Sequence, residues 1–376
     1  MRVLQIHNKY RHYGGEDVVV DNEFKLLTNN GFKVSQLFFN NEEISPINLF
    51  HNKDAFQITS NKIDEFNPDV IHVHNIFYNA SPSVLKAAKK KNIPVVMTLH
   101  NYRLLCPGAL FLRDSKVCTK CKNISLPIYG IKHKCFQDSY IKSALLASFI
   151  GLNKINNTWA NTIDKFIVLT PFIKKLIANS SLNITEKSII VKPNSTDDLL
   201  NKSYDKRTNS FLFIGRLSKE KGVDVLIEAF NKMPHINLDL VGDGVLLKSL
   251  KIKAKSNIKF HGVQNKAFIA AMLEKTKALI FPSIWYEGLP NTLIEAFSSG
   301  TPVIASDLDN INEIVVSGFN GLTFEPNNPN DLVDKVLNFS KNNTEQYSHN
   351  ARKLFEETYT HKKNFENLSK IYSNLK

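Results

Sequence analysis

Two hydrophobic patterns alternate along most of the chain. Short, nearly continuous apolar runs are typical of strands that are buried on both faces of a sheet, and they are separated by stretches with helical periodicity. In the first half the pattern predicts strands at Arg2–His7, Phe32–Phe39, Pro68–Asn75 and Ile93–His100, and helices from Glu16 to Gly31 and from Ser83 to Lys91. Strict alternation of strand and helix predicts an α/β fold with a doubly wound parallel sheet, which binds ligands at the carboxyl ends of its strands.

The alternation stops and then starts again. A polar stretch at 194–210 reads as an interdomain linker, and residues 101–160 interrupt the rhythm of the first half. A second series of strands follows at Phe211–Gly215, Leu238–Val241, Ile258–His261 and Ala278–Phe281. The chain of 376 residues, 43% of them hydrophobic, can bury two cores. We therefore predict an N-terminal domain at 1–195, with an insertion at about 101–160, and a C-terminal domain at 205–358.

A strand, a loop and a helix at 278–300 carry the strongest candidate chemistry. Glu287 lies in the loop before the helix, and Glu295 lies inside the helix. Backbone N–H groups at the helix start would lie between the two carboxylates, where the helix dipole favours an anion. Carboxylates accept hydrogen bonds from hydroxyls, so this layout suits a ligand with a phosphate between two polyols, such as a nucleotide sugar. Two glutamates at this spacing are common by chance, and only the surrounding residues raise the interpretation above that level.

Those surrounding residues carry a family resemblance. Glu287, seven residues and Glu295, with Gly288-Leu289-Pro290-Asn291 between them and Gly300 after them, resemble the signature of family-4 retaining glycosyltransferases of the GT-B fold. The resemblance implies two facing Rossmann-like domains with a cleft between them. It also implies an acceptor-binding first domain, a nucleotide-sugar-binding second domain and a final helix, 359–376, that crosses back to the first.

A second motif, Gly215-Arg216 followed by Lys221-Gly222, places two cations after a strand. Alone it would read as an ordinary basic surface loop, but it resembles the family's diphosphate clamp. His74 and His100 end neighbouring predicted strands, and His100 matches the family histidine that contacts the donor sugar. The resemblance therefore implies catalytic roles for His100, Glu287, Arg216 and Lys221, and nucleotide-sugar binding by Gly14, Gly15, Gly215, Gly262, Gly288, Leu289, Pro290, Asn291 and Glu295.

All four cysteines fall in the irregular segment: Cys106, Cys118, Cys121 and Cys135. Four thiolates can close a structural zinc site, and Cys118-Thr-Lys-Cys121 has the spacing of a ligand pair. Free thiols, or a disulfide or redox pair, remain open because the other spacings are not diagnostic. The catalysis implied by the resemblance requires no cofactor.

Charge and apolar patterning indicate partners and location. A net charge of +13 favours an anionic partner, and nucleic-acid-binding motifs are lacking, so nucleic acid is not expected. The amino terminus enters a strand directly, which favours a cytoplasmic protein. Ile141 to Trp159 shows a helical apolar stripe flanked by Lys142 and Lys154. This pattern is typical either of a core helix or of a helix that contacts an anionic membrane, here the inner face of the plasma membrane.

Together these features predict a retaining glycosyltransferase. It would move a hexose-type sugar from a UDP- or GDP-linked donor to a glycan or a polyprenyl-linked glycan in the biosynthesis of O-antigen, capsule or exopolysaccharide. A sugar-nucleotide epimerase on the same fold and a non-catalytic protein that binds anionic ligands are the alternatives. The segment after Asp307 lacks the Gly-Pro that many family members carry, which leaves the donor's identity open.

Overall fold

The computed structural model describes residues 1–10, 14–41, 46–200, 207–342 and 344–375. In chain order the strands are β1 (Arg2–Asn8), β2 (Lys33–Phe39), β3 (Val70–Asn75), β4 (Val95–Thr98), β5 (Leu112–Arg113), β6 (Lys116–Val117), β7 (Lys165–Val168), β8 (Ile189–Val191), β9 (Ser210–Ile214), β10 (Asn237–Val241), β11 (Ile258–Phe260), β12 (Ala278–Phe281), β13 (Val303–Ser306) and β14 (Gly321–Phe324). The α-helices are α1 (Gly15–Asn29), α2 (Lys53–Phe66), α3 (Ser83–Lys90), α4 (Ile128–Lys132), α5 (Tyr140–Ile155), α6 (Thr158–Thr162), α7 (Pro171–Ala178), α8 (Val223–Asn231), α9 (Leu247–Lys253), α10 (Lys266–Lys275), α11 (Asn291–Ser298), α12 (Asp309–Asn312), α13 (Pro329–Lys341), α14 (Glu345–Leu354) and α15 (His361–Ser373).

The first compact unit consists of Met1–Phe111, Thr119–Pro193 and Phe365–Lys376. Its six strands are all parallel, in the order β2-β1-β3-β4-β7-β8. Every residue of β3 is buried, as expected when helices cover both faces of a parallel sheet. The end of the chain contributes to this core, because Leu368, Ile371 and Tyr372 of α15 pack with Val3 and Leu27.

The second unit consists of Leu112–Cys118 and Asn194–Asn364. It contains another six-stranded parallel sheet, in the order β11-β10-β9-β12-β13-β14, and the antiparallel hairpin β5–β6. Its core groups Phe211 and Phe213 of β9 with Leu226 and Phe230 of α8. The central strand and the helix that follows it therefore share one apolar interior.

Local chemistry starts several of these helices. The Asn52 side chain accepts a hydrogen bond from the backbone N–H of Ala55 at 3.1 Å, which caps α2. Thr170 caps α7 in the same way and is followed by proline in the first turn. Such caps fix where a helix begins after each strand, and therefore which residues lie at the carboxyl edge of the sheet.

The two parallel sheets confirm the predicted fold class. The predicted interdomain linker lies partly outside the described residues, because 201–206 fall within it. The proposed domain boundaries stay a prediction. Among the described helices, none is both long and apolar enough to cross a membrane.

Candidate active site

In the second unit, a close approach between two loops positions the cation and the carboxylate of the predicted site. Gly222 has φ +67°, and a Cβ there would lie 1.9 Å from the carbonyl oxygen of Pro282, so this position requires glycine. The backbone N–H of Ile284 also donates to the Glu220 carbonyl at 3.0 Å. As a result Lys221 Nζ lies 2.7 Å and 2.9 Å from the two carboxylate oxygens of Glu287.

Glu287 is held from several sides. Glu287 is only 6% exposed. The Ser283 hydroxyl donates to its carboxylate, and the Asn310 side-chain amide donates to its backbone carbonyl at 2.8 Å. The carboxylate is therefore pre-positioned, with Lys221 as its counter-charge.

Glu295 has a different environment. It lies in α11, which begins at Asn291 directly after the extended Pro290. Burial raises the pKa of Glu295, the charge of Lys266 lowers it and that of Asp197 raises it further. The structure therefore keeps the two glutamates of the motif in separate surroundings, one ion-paired and one without a tight cationic partner among the described residues.

Glycines at the carboxyl ends of β9, β10 and β11 form a tight set. A Cβ on Gly242, with φ +133°, would lie 2.0 Å from the carbonyl oxygen of Gly215, and the Gly242 N–H donates to the Gly262 carbonyl at 2.8 Å. Arg216, next to this set, has a side chain that is 72% exposed and lies 3.3 Å from Glu220. Arg216 is thus free to turn toward a ligand at little structural cost.

In the first unit, the predicted glycine loop is anchored to the sheet. Gly14 precedes α1, and its N–H donates to the Asp17 carboxylate at 2.8 Å, while the other Asp17 oxygen lies 3.0 Å from His7 Nε2. Gly15 begins α1 and is exposed. Residues 11–13 of the loop lie outside the described residues.

Beside this loop lies a polar cluster that the sequence analysis did not identify. Glu16 accepts a hydrogen bond from the Asn101 side chain at 2.8 Å, and the same amide lies 3.3 Å from the Tyr10 hydroxyl. Burial raises the pKa of Glu16 to about 7, although the hydrogen bonds from Asn101 and Tyr10 act in the opposite direction. This carboxyl group therefore changes its charge near neutral pH.

The structure brings His74 and His100 together, as their positions at neighbouring strand ends predicted, and adds Glu23 and Lys192, which the sequence analysis missed. His100 Nε2 lies 3.1 Å from His74 Nδ1, and His74 Nε2 lies 3.5 Å from the Glu23 carboxylate. Lys192, directly after β8, lies 2.6 Å from Glu23. Glu23 interrupts an apolar face of α1 that includes Val19, Val20 and Leu27, and a charge at such a position could have indicated a buried ion pair.

The cysteines are divided between the units. Cys118 belongs to the second unit, whereas Cys106, Cys121 and Cys135 belong to the first. Cys106 and Cys135 both border Gly108, and burial raises the pKa of the Cys106 thiol. All four are unpaired by disulfides. The structural zinc stays a prediction.

The apolar stripe predicted for Ile141–Trp159 is not one face. The helix α5 ends at Ile155, and Trp159 lies in the separate helix α6, because Asn157 adopts the left-handed conformation between them. Phe149 and Trp159 are buried, at 0% and 1% exposure, whereas Ile141 and Ile155 are 83% and 66% exposed. One face of α5 therefore belongs to the core and another faces solvent.

Comparisons with known families and proteins agree with this architecture. Residues 196–354 match the family model described as Glycosyl transferases group 1, and residues 46–198 match that described as Glycosyltransferase Family 4. Among curated relatives, the uncharacterized glycosyltransferase MJ1178 of Methanocaldococcus jannaschii is 27% identical over 364 residues, which cover 91% of this chain and 89% of that protein.

Two relatives from Escherichia coli carry functional names. The O-antigen biosynthesis glycosyltransferase WclY is 25% identical over 83% of this chain and 88% of its own length. The UDP-Gal:alpha-D-GlcNAc-diphosphoundecaprenol alpha-1,3-galactosyltransferase is 30% identical over 45% of this chain and 51% of its own length.

Solved structures share the fold. The lipopolysaccharide outer core galactosyltransferase WaaB in its apo form has a TM-score of 0.67 at 19% identity, with 100% of each chain covered. Anabaena HepE in complex with UDP-glucose has a TM-score of 0.70 at 15% identity, again with 100% of both chains covered. The two matched family models together span residues 46–354, and the chain belongs to the family-4, group 1 glycosyltransferases with the GT-B fold.

Proposed function

We propose that this glycosyltransferase moves a hexose-type sugar from a UDP- or GDP-linked donor to a glycan or lipid-linked glycan, with retention at the anomeric carbon. The observation that carries the proposal is the Lys221–Glu287 pair beside the start of α11. It combines a cation for a diphosphate with an acceptor for sugar hydroxyls. The names of the relatives, which include UDP-Gal, UDP-glucose and O-antigen, support a UDP-linked donor and a surface polysaccharide.

Donor binding would exchange the partners of this pair. A diphosphate near Lys221 competes with Glu287 for the ammonium group, and charge-assisted hydrogen bonds to phosphate are strong. Glu287 then has carboxylate oxygens available to accept hydrogen bonds from the sugar hydroxyls. The same contact that keeps both side chains in place without ligand would in this way supply both halves of donor recognition.

The reaction itself breaks the bond between the anomeric carbon and the phosphate oxygen. The electron pair leaves with the nucleoside diphosphate, the acceptor oxygen bonds to the anomeric carbon, and the acceptor's proton passes to the departing diphosphate oxygen. Arg216, Lys221 and the amides from Gly288 onward would stabilise the charge that develops on the diphosphate. Glu295 would hold the ribose, and His100 would contact the transferred sugar.

A panel assay tests this function. Purified protein is incubated with UDP- and GDP-linked hexoses and glycan acceptors, and NMR of the product determines the anomeric configuration. We expect transfer with one class of donor and the configuration of the donor in the product. Thermal stabilisation by nucleoside diphosphates without any transfer, or an inverted product, would contradict the proposal.

We also propose contact with an anionic membrane, and the exposed face of α5 supports it. Ile141, Leu152 and Ile155, at 83%, 50% and 66% exposure, recur at helical spacing, and Ile128 of α4 is 53% exposed. Lys142 is exposed beside them, whereas Lys154, the second predicted flanking lysine, is buried and leaves one lysine on this face. A basic, amphipathic surface of this kind binds at the interface of anionic lipids. An enzyme acting on a lipid-linked acceptor at the inner face of the plasma membrane would need such a surface.

Vesicle flotation tests whether the exposed face of α5 binds an anionic membrane or is an ordinary solvent-exposed surface. The wild-type protein should float with anionic vesicles at low salt, and Ile141→Glu combined with Ile155→Glu should abolish flotation without unfolding. Ile252→Glu is a matched control, because Ile252 lies in α9 of the second unit and is 86% exposed. Equal flotation of the double variant and the control would contradict the membrane contact.

A further inference from the structure

A line of four side chains runs from the interior of the first unit to His100. We call Lys192, Glu23, His74 and His100 the buried histidine chain. Lys192, Glu23 and His74 are 0%, 3% and 3% exposed, whereas His100 is only half-buried. The chain therefore has one end in the core and one end that a ligand can reach.

We propose that Glu23, acting through His74, fixes the tautomer of His100, so that its Nε2 carries the proton and its Nδ1 accepts a hydrogen bond from the transferred sugar. This inference deepens the proposed function and depends on the sugar contact assigned there to His100. Glu23 and His74 would be positioning residues, since neither needs to touch the substrate.

The charge of Glu23 determines what its neighbours must present to it. Burial raises the pKa of this carboxyl group, and the charge and hydrogen bond of the Lys192 ammonium group, 2.6 Å away, lower it and favour the ionised form. An ionised carboxylate can only accept hydrogen bonds. Whatever faces its second oxygen must therefore present a proton.

The position of Glu23 determines which ring nitrogen of His74 carries the proton. Burial lowers the pKa of this imidazole well below its ordinary value, so the ring is neutral and has one N–H. Its Nε2 lies 3.5 Å from Glu23 Oε2, and neither atom has a hydrogen-bond partner among the described residues. A proton on Nε2 is attracted by the carboxylate at this distance, although no direct hydrogen bond is formed, whereas a lone pair there would be repelled. His74 Nδ1 is then an acceptor.

The acceptor nitrogen of His74 determines which nitrogen of His100 carries the proton. The two rings are nearly parallel, at 17°, and His100 Nε2 lies 3.1 Å from His74 Nδ1. Two lone pairs cannot face each other at this distance, so His100 must donate from Nε2. Burial lowers the pKa of His100 to about 3, so the ring has no second proton near neutral pH. Its Nδ1 is left as an acceptor for a hydroxyl.

The neighbours of the buried histidine chain exclude a metal site at this position. Glu23, His72 and His74 are also the one set of three side chains, among those described, whose potential metal-ligating atoms all lie within 4.8 Å. The Lys192 ammonium group, however, already occupies the cationic position beside Glu23. Both nitrogens of His72 have partners, the Tyr372 hydroxyl at 2.7 Å and the Thr98 hydroxyl at 2.8 Å. The arrangement is that of two hydrogen-bonded pairs, Lys192–Glu23 and His74–His100, joined by the electrostatic contact of Glu23 with His74.

NMR of the ring nitrogens tests the tautomer directly and needs no activity. Protein labelled with ¹⁵N-histidine is recorded without ligand, and the His100 signals are assigned by their loss in His100→Gln. We expect a protonated Nε2 and an unprotonated Nδ1. A proton on Nδ1 of His100 in the wild-type protein would overturn the proposal.

The same measurement on Glu23→Gln combined with Lys192→Met tests the cause. The double variant removes both charges at similar volume, and a Gln amide can donate as well as accept, so the His100 signals should shift toward a mixture of tautomers. Lys154→Met is the matched control, since Lys154 is also buried in the first unit but donates to the Ile124 carbonyl instead. Unchanged His100 signals in the double variant would overturn the role of Glu23.

Kinetics then connect the tautomer to transfer. Removing the group that orients a metal-bound histidine lowers activity by roughly tenfold or more, and we expect a fall of similar size in kcat/KM for the double variant. In a His100→Ala background the same two substitutions should change kcat/KM by a factor near one. If the two substitutions lower kcat/KM by the same factor in the His100→Ala background as in the wild-type protein, Glu23 does not act through His100. If His100→Ala transfers the sugar at the wild-type rate, His100 makes no functional contact with the sugar and Glu23 has no positioning role. The other proposed donor contacts are unaffected by that result.

Discussion

Replacing Lys192 by methionine should destabilise the first unit strongly, because it leaves the Glu23 carboxylate buried without its counter-charge. The two side chains are 0% and 4% exposed, and their charged atoms are 2.6 Å apart. At an effective dielectric constant of about 20, that separation corresponds to an attraction of about 6 kcal/mol. Desolvating each ion costs several kcal/mol, so the intact pair contributes little net stability, whereas breaking it costs about 3–5 kcal/mol.

The double variant separates these two contributions. Glu23→Gln combined with Lys192→Met removes both ions, and such replacements of buried pairs are often neutral or stabilising. We therefore expect the double variant to be more stable than Lys192→Met alone by about 3 kcal/mol or more. Lys62→Met is the surface control, because the Lys62–Glu65 pair lies one turn apart on α2 and is partly exposed, and its loss should cost below about 1 kcal/mol.

Tryptophan fluorescence can report the first unit alone. The chain has two tryptophans, Trp159 in the first unit and Trp285 in the second. In a Trp285→Phe background, guanidinium unfolding followed by Trp159, which is 1% exposed, gives the free energy of that unit. If Lys192→Met and the double variant are equally unstable, the loss is one of packing, and the electrostatic reasoning is wrong.

The pH dependence gives an independent check. In the wild-type protein the pKa of Glu23 is lowered, so its contribution to stability is present above the ordinary pKa and lost as the pH falls. Without Lys192 the folded-state pKa should instead lie above the ordinary value. The deficit of Lys192→Met should then be largest at neutral pH and shrink on acidification as the carboxylate takes up a proton.

Three further predictions concern the site, the thiols and the glycine loop. Glu287→Ala should abolish transfer but leave binding of the nucleoside diphosphate no weaker in calorimetry, since Lys221 loses a competing carboxylate. Glu295→Ala should weaken that binding. The opposite pattern would reverse the roles of the two glutamates. Elemental analysis should find about one zinc per chain if the four cysteines close one site, whereas four freely titratable thiols in the folded protein would remove that idea. Glu16→Gln should stabilise the first unit progressively as the pH rises from 4.5 to about 7, because the folded state binds the proton more tightly than the unfolded state. The full gain above that range should be about 3 kcal/mol, and a gain independent of pH in denaturant unfolding would contradict it.

Local patterns predicted the sheets well. The buried strands of both units read as apolar runs in the sequence, and the glycines that end them marked the loops of the second unit. Lys221 and Glu287 were assigned to one site only through the family resemblance. Their direct ion pair could not be predicted, because it depends on the close backbone approach at Gly222.

Features that join distant segments escaped the sequence analysis. Lys192 and Glu23 are 169 positions apart, and the strand order that brings them together has no local signature. The extent of the α5 stripe was wrong because one left-handed residue, Asn157, ends the helix, and helical periodicity alone does not detect such a break. Likewise, the hairpin that carries Cys118 into the second unit is too short to leave a pattern.

The position of α15 has a consequence for biosynthesis. The first unit takes Leu368, Ile371 and Tyr372 into its core, and the Tyr372 hydroxyl bonds to His72 at the centre of its sheet. A ribosome that has made residues 1–364 has therefore supplied every residue of the second unit, while the first still lacks part of its interior. The unit that is translated first is completed last. A chain truncated shortly before Phe365 should consequently expose the apolar core of its amino-terminal half to chaperones and proteases.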